Sequence, residues 1–147
     1  MPSFTLVREV MAPPELVFDV FTDPRRSAEI TPMRRSLLER QGEPAPNGVG
    51  AIRALHSVGP PLREEMIAYE RPRRFAYRVL SGIPVRDHVG TVELTPDGAR
   101  TKVVYAIRTF PTLPFVGAVI VAVTRLAVQR LLDDVAAESE RRTPVGS

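Results

Sequence analysis

The side chains best suited to chemistry are two charged residues that fall on otherwise apolar faces of strand-like segments. Arg53 alternates with Leu55, and Glu64 alternates with Met66. Alternate residues of a strand point to the same face, so this spacing predicts that the guanidinium and the carboxylate both face the interior. A buried charge is costly unless it is compensated. We therefore expect the two groups to pair with each other or to orient a polar group of a ligand.

A second interpretation of the first segment stays open. The complementary set of Ile52, Ala54 and His56 is also mostly apolar. If this set formed the inner face, Arg53 would lie in solvent. The sequence alone does not decide between the two parities.

His88 is a third polar candidate for the interior. Val92 and Leu94 form the apolar face of their segment, and the same parity along an unbroken strand places His88 and Arg86 on that face. Imidazole titrates near neutral pH and can donate or accept a proton. A single histidine on a core strand is more often held by a hydrogen bond. We therefore expect His88 to line a pocket rather than to catalyse.

Hydrolase and metal chemistry find little support in the sequence. Asp87 and His88 are neighbours on one strand and face opposite sides, so this carboxylate cannot orient the imidazole as a catalytic triad requires. The chain has no cysteine and 2 histidines, and it contains no Gly-x-Ser-x-Gly sequence. We expect neither a metal site nor a cofactor.

A run of short strands must position these side chains. The apolar alternation places Tyr77 and Val79 on one inner face and Tyr105 on another. With an N-terminal strand, the pattern predicts about seven strands joined by hairpins, which is typical of an antiparallel sheet. The other strands are predicted over residues 36–41, 49–57, 62–69, 74–80, 85–95 and 101–110.

Helical signals flank the strands. Pro13 and Pro14 suit the start of a short helix, and a second short helix is predicted over residues 24–31. A long helix is predicted from Pro114 to about Ala137, with Gln129, Arg130 and Asp133 opposite its apolar stripe. The stripe consists of Val121, Thr124, Val128, Leu131, Leu132 and Val135. These elements predict an α+β fold with a curved sheet wrapped on the long C-terminal helix.

The first half of the long helix is apolar on nearly all sides. Val119, Ala122 and Leu126 lie roughly opposite the stripe. A face of this kind is rarely bare on a soluble monomer. Three interpretations remain, namely a homodimer or partner contact, local packing under residues 109–113, and contact with a membrane while a ligand loads.

Length and composition restrict the class of protein. The 147 residues fit one domain over 1–147, with residues 141–147 expected to form a flexible tail. The net charge is only +3 and the arginines are spread along the chain, which argues against nucleic-acid binding. No signal-peptide pattern opens the sequence, and the longest apolar run is shorter than the roughly 20 residues of a membrane span. We expect a cytoplasmic protein without stable membrane insertion.

Short segments spread from Phe4 to about Ala137 carry a resemblance to a known family. They are Ala12-Pro-Pro-Glu15, Thr22-Asp-Pro24, Gly48-Val-Gly50, Tyr69-Glu-Arg-Pro-Arg-Arg74, Phe75-Ala-Tyr-Arg78 and Gly90-Thr-Val-Glu-Leu-Thr-Pro96. Together they resemble the bacterial polyketide cyclase/dehydrase-like (SRPBCC) branch of the START/Bet v1-like superfamily. The resemblance implies a helix-grip fold, in which the sheet and the long helix enclose an apolar pocket. Members include aromatase/cyclases, lipid carriers, quinone-binding proteins and plant hormone receptors.

The expected function is binding of a hydrophobic or amphipathic small molecule, such as a lipid, polyketide or quinone-like compound, in an internal cavity. One alternative is a polyketide cyclase/dehydratase-type enzyme with His88 as the best catalytic candidate. Another is a protein–protein interaction module that uses the apolar face of the long helix. The predicted ligand-binding residues are Arg53, Leu55, Glu64, Met66, Tyr77, Val79, His88, Val92, Tyr105, Val121, Thr124 and Val128.

Overall fold

One antiparallel sheet and one long helix dominate the computed structural model, which describes residues 3–22, 35–44, 46–56 and 61–143. The sheet order is β1-β7-β6-β5-β4-β3-β2. The elements in chain order are β1 (Ser3–Val10), α1 (Pro14–Thr22), β2 (Arg35–Arg40), β3 (Ile52–His56), β4 (Leu62–Glu70), β5 (Arg74–Ser81), β6 (Val85–Asp97), β7 (Arg100–Pro111) and α2 (Gly117–Arg142). The predicted α+β class is confirmed.

The core lies on one face of this sheet. Phe75, Val92 and Tyr105 are buried on β5, β6 and β7, as the parity of each strand predicts. Phe18 of α1 adds an aromatic ring that meets Phe75 edge-on, with 5.4 Å between ring centroids. Edge-to-face packing of this kind adds to the stabilisation that burial of the two rings supplies. It fixes α1 against the inner face.

The long helix α2 covers the same face. Its predicted apolar stripe is confirmed, because each of these side chains is buried or half-buried. Arg8 of β1 and Asp133 of α2 form a salt bridge of 2.8 Å at the helix surface. The backbone N–H of Met11 donates to the Glu140 carboxylate at 2.9 Å, so the C-terminal half of α2 is tied to the turn after β1.

Both predicted ends of the long helix need correction. The helix begins at Gly117 rather than Pro114, because Phe115 has a φ of 68° in the left-handed region and interrupts the helical backbone. It continues to Arg142, whose Nε donates to the Glu138 carboxylate at 2.5 Å. Arg141 also bonds to Glu138. Basic residues in the last turn favour the helix terminus. The flexible tail expected over residues 141–147 stays a prediction.

Two strand predictions also differ from the structure, and one helix prediction falls outside it. β3 begins at Ile52 rather than residue 49, since Val49 instead forms an isolated bridge with Glu43. Arg86 is exposed rather than inward, because the β6–β7 register shifts between Arg86 and Val89 and the strand is not unbroken there. The predicted helix over residues 24–31 lies outside the described residues.

The first half of α2 exposes the apolar outer face that the sequence predicts. The local-packing interpretation is wrong for Val119 and Leu126, which are 61% and 66% exposed. The homodimer or partner contact stays a prediction, which light scattering on the wild type and Val119→Glu would test. The exposed apolar side chains of this region are Leu113, Phe115, Val116, Val119, Val123 and Leu126.

Candidate functional site

A cavity of about 320 Å³ lies between the inner face of the sheet and α2. Small-molecule sites usually measure roughly 300–1,000 Å³, so this one suits a small ligand. Its lining comes from strands β3–β7, the β5–β6 loop and both helices. The lining residues are Phe21, Arg53, Leu55, Leu62, Glu64, Phe75, Tyr77, Val79, Ile83, His88, Tyr105, Val123, Thr124, Ala127, Val128, Arg130 and Leu131.

Arg53 and Glu64 face the cavity together. They are direct partners in the antiparallel β3–β4 ladder, and each is only 8% exposed. The inward parity predicted for both is confirmed, and the alternative with Arg53 in solvent is wrong. The two side chains approach to 3.5 Å between Nη2 and Oε1, which is long for a hydrogen bond between charged groups.

The environment of this pair makes ionisation of the Glu64 carboxyl less favourable. Burial raises the pKa of the Glu64 carboxyl, and the nearby Arg53 guanidinium only partly offsets that rise. Nη1 of Arg53 is buried and makes no hydrogen bond to another described residue. The pair is therefore incompletely satisfied on its guanidinium side.

Two tyrosine hydroxyls extend the polar wall. The hydroxyls of Tyr77 and Tyr105 share a hydrogen bond across β5 and β7. Burial raises the pKa of both phenols, so both stay protonated near neutral pH. The Tyr77 ring crosses Gly90 of β6, where a Cβ atom would lie 2.5 Å from the ring. Gly90 thereby provides the space that lets Tyr77 reach Tyr105.

His88 completes the polar cluster. Its Nδ1 lies 2.9 Å from the Thr109 hydroxyl, and its side chain is buried. Burial lowers the pKa of the imidazole, so the neutral form predominates near neutral pH. The adjacent Asp87 is exposed, and the buried partner of this histidine is a hydroxyl rather than a carboxylate.

Most predicted ligand-binding residues surround this one cavity. Three do not line it. Met66 and Val92 are buried in the packed core, at 4% and 0% exposure. Val121 lies in a separate surface groove beside Phe4 and Arg125. The predicted residues that line the cavity are Arg53, Leu55, Glu64, Tyr77, Val79, His88, Tyr105, Thr124 and Val128.

Several lining residues were not among the predicted site residues. Phe75 shares its strand face with Tyr77, and Leu131 belongs to the predicted helix stripe, so the same parity arguments could have found both. Ile83 lies in a loop, and no periodic pattern could have found it. The others are Phe21, Leu62, Val123, Ala127 and Arg130, and the last of these was placed on the opposite face of the helix.

Across the described residues, no group of three or more His, Asp or Glu side chains is arranged to hold a metal ion. No helix there is both long enough and apolar enough to cross a membrane.

The chain matches one known family over nearly its whole length. The family model described as polyketide cyclase / dehydrase and lipid transport matches residues 1–140. No curated protein matches the sequence. The resemblance seen in the short sequence segments is thus confirmed at the level of the family.

Solved structures share the fold at low sequence identity. A START superfamily protein from Mycobacterium smegmatis has a TM-score of 0.81 and 12% identity, over 96% of this chain and 99% of that one. The Zhui aromatase/cyclase from Streptomyces sp. R1128 has a TM-score of 0.79 and 23% identity, over 99% and 97%. Ara h 8.0201 has a TM-score of 0.74 and 13% identity, over 95% and 98%. These likenesses confirm the predicted helix-grip fold.

Proposed function

Since the chain belongs to the polyketide cyclase/dehydrase and lipid transport family, we propose that it binds a hydrophobic or amphipathic small molecule in the cavity beneath α2. The observation that carries this proposal is the composition of the cavity wall. Aliphatic and aromatic side chains supply most of the surface, and a few polar groups stand among them. That arrangement is typical of sites that bind by apolar burial and orient the ligand with hydrogen bonds.

Apolar burial would supply most of the binding free energy. Removal of apolar surface from water contributes about 25 cal/mol per Å². The Tyr77 and Tyr105 hydroxyls, together with Arg53, would fix the orientation of a polar ligand group. Lipids, polyketides and quinone-like compounds all combine an apolar body with a polar group, and they remain the proposed ligand classes.

Native mass spectrometry of the freshly purified protein tests this proposal. We expect a stoichiometric added mass that is lost on denaturation, and extraction with organic solvent would identify it. A parallel titration with an apolar fluorescent dye covers the case in which purification strips the ligand. A clean unliganded mass together with no dye binding would contradict the proposal.

A second candidate function is catalysis of a cyclase or dehydratase type. The family description and the aromatase/cyclase with the same fold favour it. In the cavity, a neutral His88 could accept a proton from an activated carbon, while the protonated tyrosines could donate hydrogen bonds to carbonyl oxygens. The roles of Arg53 and Glu64 would then be to hold the substrate chain.

Kinetics with a short synthetic polyketone would distinguish the two functions. An enzyme that uses His88 should show a rate that falls as the imidazole becomes protonated, and His88→Phe should abolish that rate while an apolar dye still binds. A wild type that binds the polyketone without converting it would leave binding as the function.

The expected cellular location and the expected kind of partner are also proposals. We propose a cytoplasmic protein whose partner is a small molecule rather than a nucleic acid. The arginines are spread along the sequence rather than gathered in one segment, which does not favour nucleic-acid binding. A filter-binding assay with duplex and single-stranded DNA at moderate salt would test the second of these proposals.

A further inference from the structure

One donor in the cavity wall has no acceptor among the described residues. Arg53 lines the cavity and is 8% exposed. Its Nη2 is directed to Glu64, whereas its Nη1 is buried and finds no hydrogen-bond partner in the described part of the chain. A buried charged donor without an acceptor is strongly unfavourable. Its position in the wall indicates that a ligand supplies the acceptor.

The existing partner leaves room for that acceptor. Charge-assisted N–H···O contacts usually measure about 2.7–2.9 Å. The Arg53–Glu64 contact is 3.5 Å and involves a single nitrogen. A guanidinium can bind a carboxylate through two parallel N–H groups, and Glu64 does not occupy Arg53 in that way. Glu64 therefore leaves one edge of the Arg53 guanidinium without an acceptor.

The charges around the cavity also favour an anion. Arg53 and Arg130 both line it, whereas Glu64 is the one carboxylate among its described lining residues. Burial raises the pKa of Glu64, which weakens its ability to neutralise Arg53. The phenols of Tyr77 and Tyr105 stay protonated and contribute donors rather than negative charge. The neutral imidazole of His88 adds no negative charge either.

We propose that the cavity selects an amphipathic acid, whose carboxylate accepts hydrogen bonds from Arg53 while its apolar part contacts Leu55, Val79 and Val128. The inference rests on the proposed binding function, because it names the ligand class of the same cavity. The carboxylate satisfies Nη1 and balances the excess positive charge. Burial of the apolar chain against the aliphatic wall supplies the rest of the affinity.

Isothermal titration of the wild type with octanoic acid and with octanol tests the selection. The two probes have chains of equal length, and near neutral pH the acid is ionised because the pKa of an alkanoic acid lies well below 7. We expect octanoate to bind about tenfold or more tightly than octanol, which is the effect of one charge-assisted hydrogen bond. Equal affinities, or tighter octanol binding, would overturn the inference and leave cavity binding intact.

Variants at the ion pair should act in opposite directions. Arg53→Met should remove the preference for octanoate, whereas Arg86→Met, at an exposed arginine outside the cavity lining, should keep it. Glu64→Gln should tighten octanoate binding, because it removes the competing negative charge. Unchanged octanoate affinity in both Arg53→Met and Glu64→Gln would contradict the role of the pair.

The experiment separates the inference from the function on which it rests. If Arg53→Met fails to fold, the wild-type comparison of acid and alcohol and the Glu64→Gln variant still decide the matter. If octanoate, octanol and an apolar dye all fail to bind the wild type, the binding function is wrong and the inference falls with it.

Discussion

At the scale of single residues, the polar wall of the cavity depends on which residues stand opposite each other in the sheet. Arg53 faces Glu64 across β3 and β4, and Tyr77 faces Gly90 across β5 and β6. Side chains directly opposite on one face of an antiparallel pair are close enough to interact. A glycine opposite a tyrosine leaves space for its ring. The register thus determines both the ion pair and the direction of the Tyr77 hydroxyl.

Gly90→Ala should destabilise the protein by about 1–3 kcal/mol, the usual effect of overpacking a core. The new Cβ atom would lie 2.5 Å from the Tyr77 ring, so the ring must move and its hydrogen bond to Tyr105 must weaken. Urea unfolding would measure the change. Gly117→Ala is the control, because its Cβ would meet only Pro111 at an ordinary 3.7 Å. Equal midpoints for the two variants would refute this account of Gly90.

The stability of the protein should depend on pH through His88. Burial lowers the pKa of this imidazole below its ordinary value of about 6.5. The unfolded chain then binds a proton at a higher pH than the folded protein, so stability falls as the pH drops below about 6.5. The melting temperature should therefore decrease more in the wild type than in His88→Gln between about pH 8 and pH 5. Parallel decreases in the two proteins would show that His88 does not contribute.

At the scale of elements, the two halves of α2 have different surroundings. Leu132 is 4% exposed in the second half and packs into the core, whereas Leu126 is 66% exposed in the first half. The same residue type on one helix therefore occupies two opposite environments. Burial in the second half holds the helix to the sheet.

Leu132→Ala should cost about 2–5 kcal/mol of unfolding free energy, because it removes a buried side chain and leaves a cavity. Leu126→Ala makes the same chemical change at an exposed position and should stay within about 0.5 kcal/mol of the wild type. Chemical denaturation of both variants would measure the difference. A similar loss in both would mean that Leu126 is buried in solution, for example against a second copy of the chain.

Strand faces were predictable where one face is clearly apolar. Phe75 and Tyr77 alternate with a face that carries Arg74 and Arg78, so the hydrophobic effect fixes their direction. The two alternating sets of β3 are similarly apolar, and only the burial of Arg53 in the cavity wall shows that it points inward. The register shift near Arg86 left no pattern in the sequence, so the predicted inward direction of that arginine failed.

Helix ends and loop contributions were less predictable. Pro114 has the residue type of a helix start, but the left-handed backbone of Phe115 delays the helix to Gly117. Ile83 reaches the cavity from the loop between β5 and β6, where side chains follow no period. Such positions depend on tertiary contacts that local sequence does not encode.

At the scale of the whole molecule, the cavity follows from the way the helix rests on the sheet. α2 makes its main contacts with α1, β1 and β7. The strands β3–β6 line the opposite side of the space beneath it. A sheet that curves away from the helix on one side leaves a gap there, while the second half of α2 stays packed. The gap provides the space for a ligand, and the packed second half of α2 holds the helix to the sheet.

Val79→Phe should block ligand binding without unfolding the protein. Val79 is half-buried and lines the cavity from β5, so the larger ring can occupy the open volume instead of displacing packed neighbours. We expect at least about tenfold weaker binding of an apolar dye, with a melting temperature close to that of the wild type, because filling a cavity seldom destabilises. Val7→Phe is the matched control, since Val7 is 59% exposed on β1 and lies outside the cavity lining. Full dye binding by Val79→Phe would place the binding site elsewhere, whereas a loss in both variants would point to a general effect of the added ring.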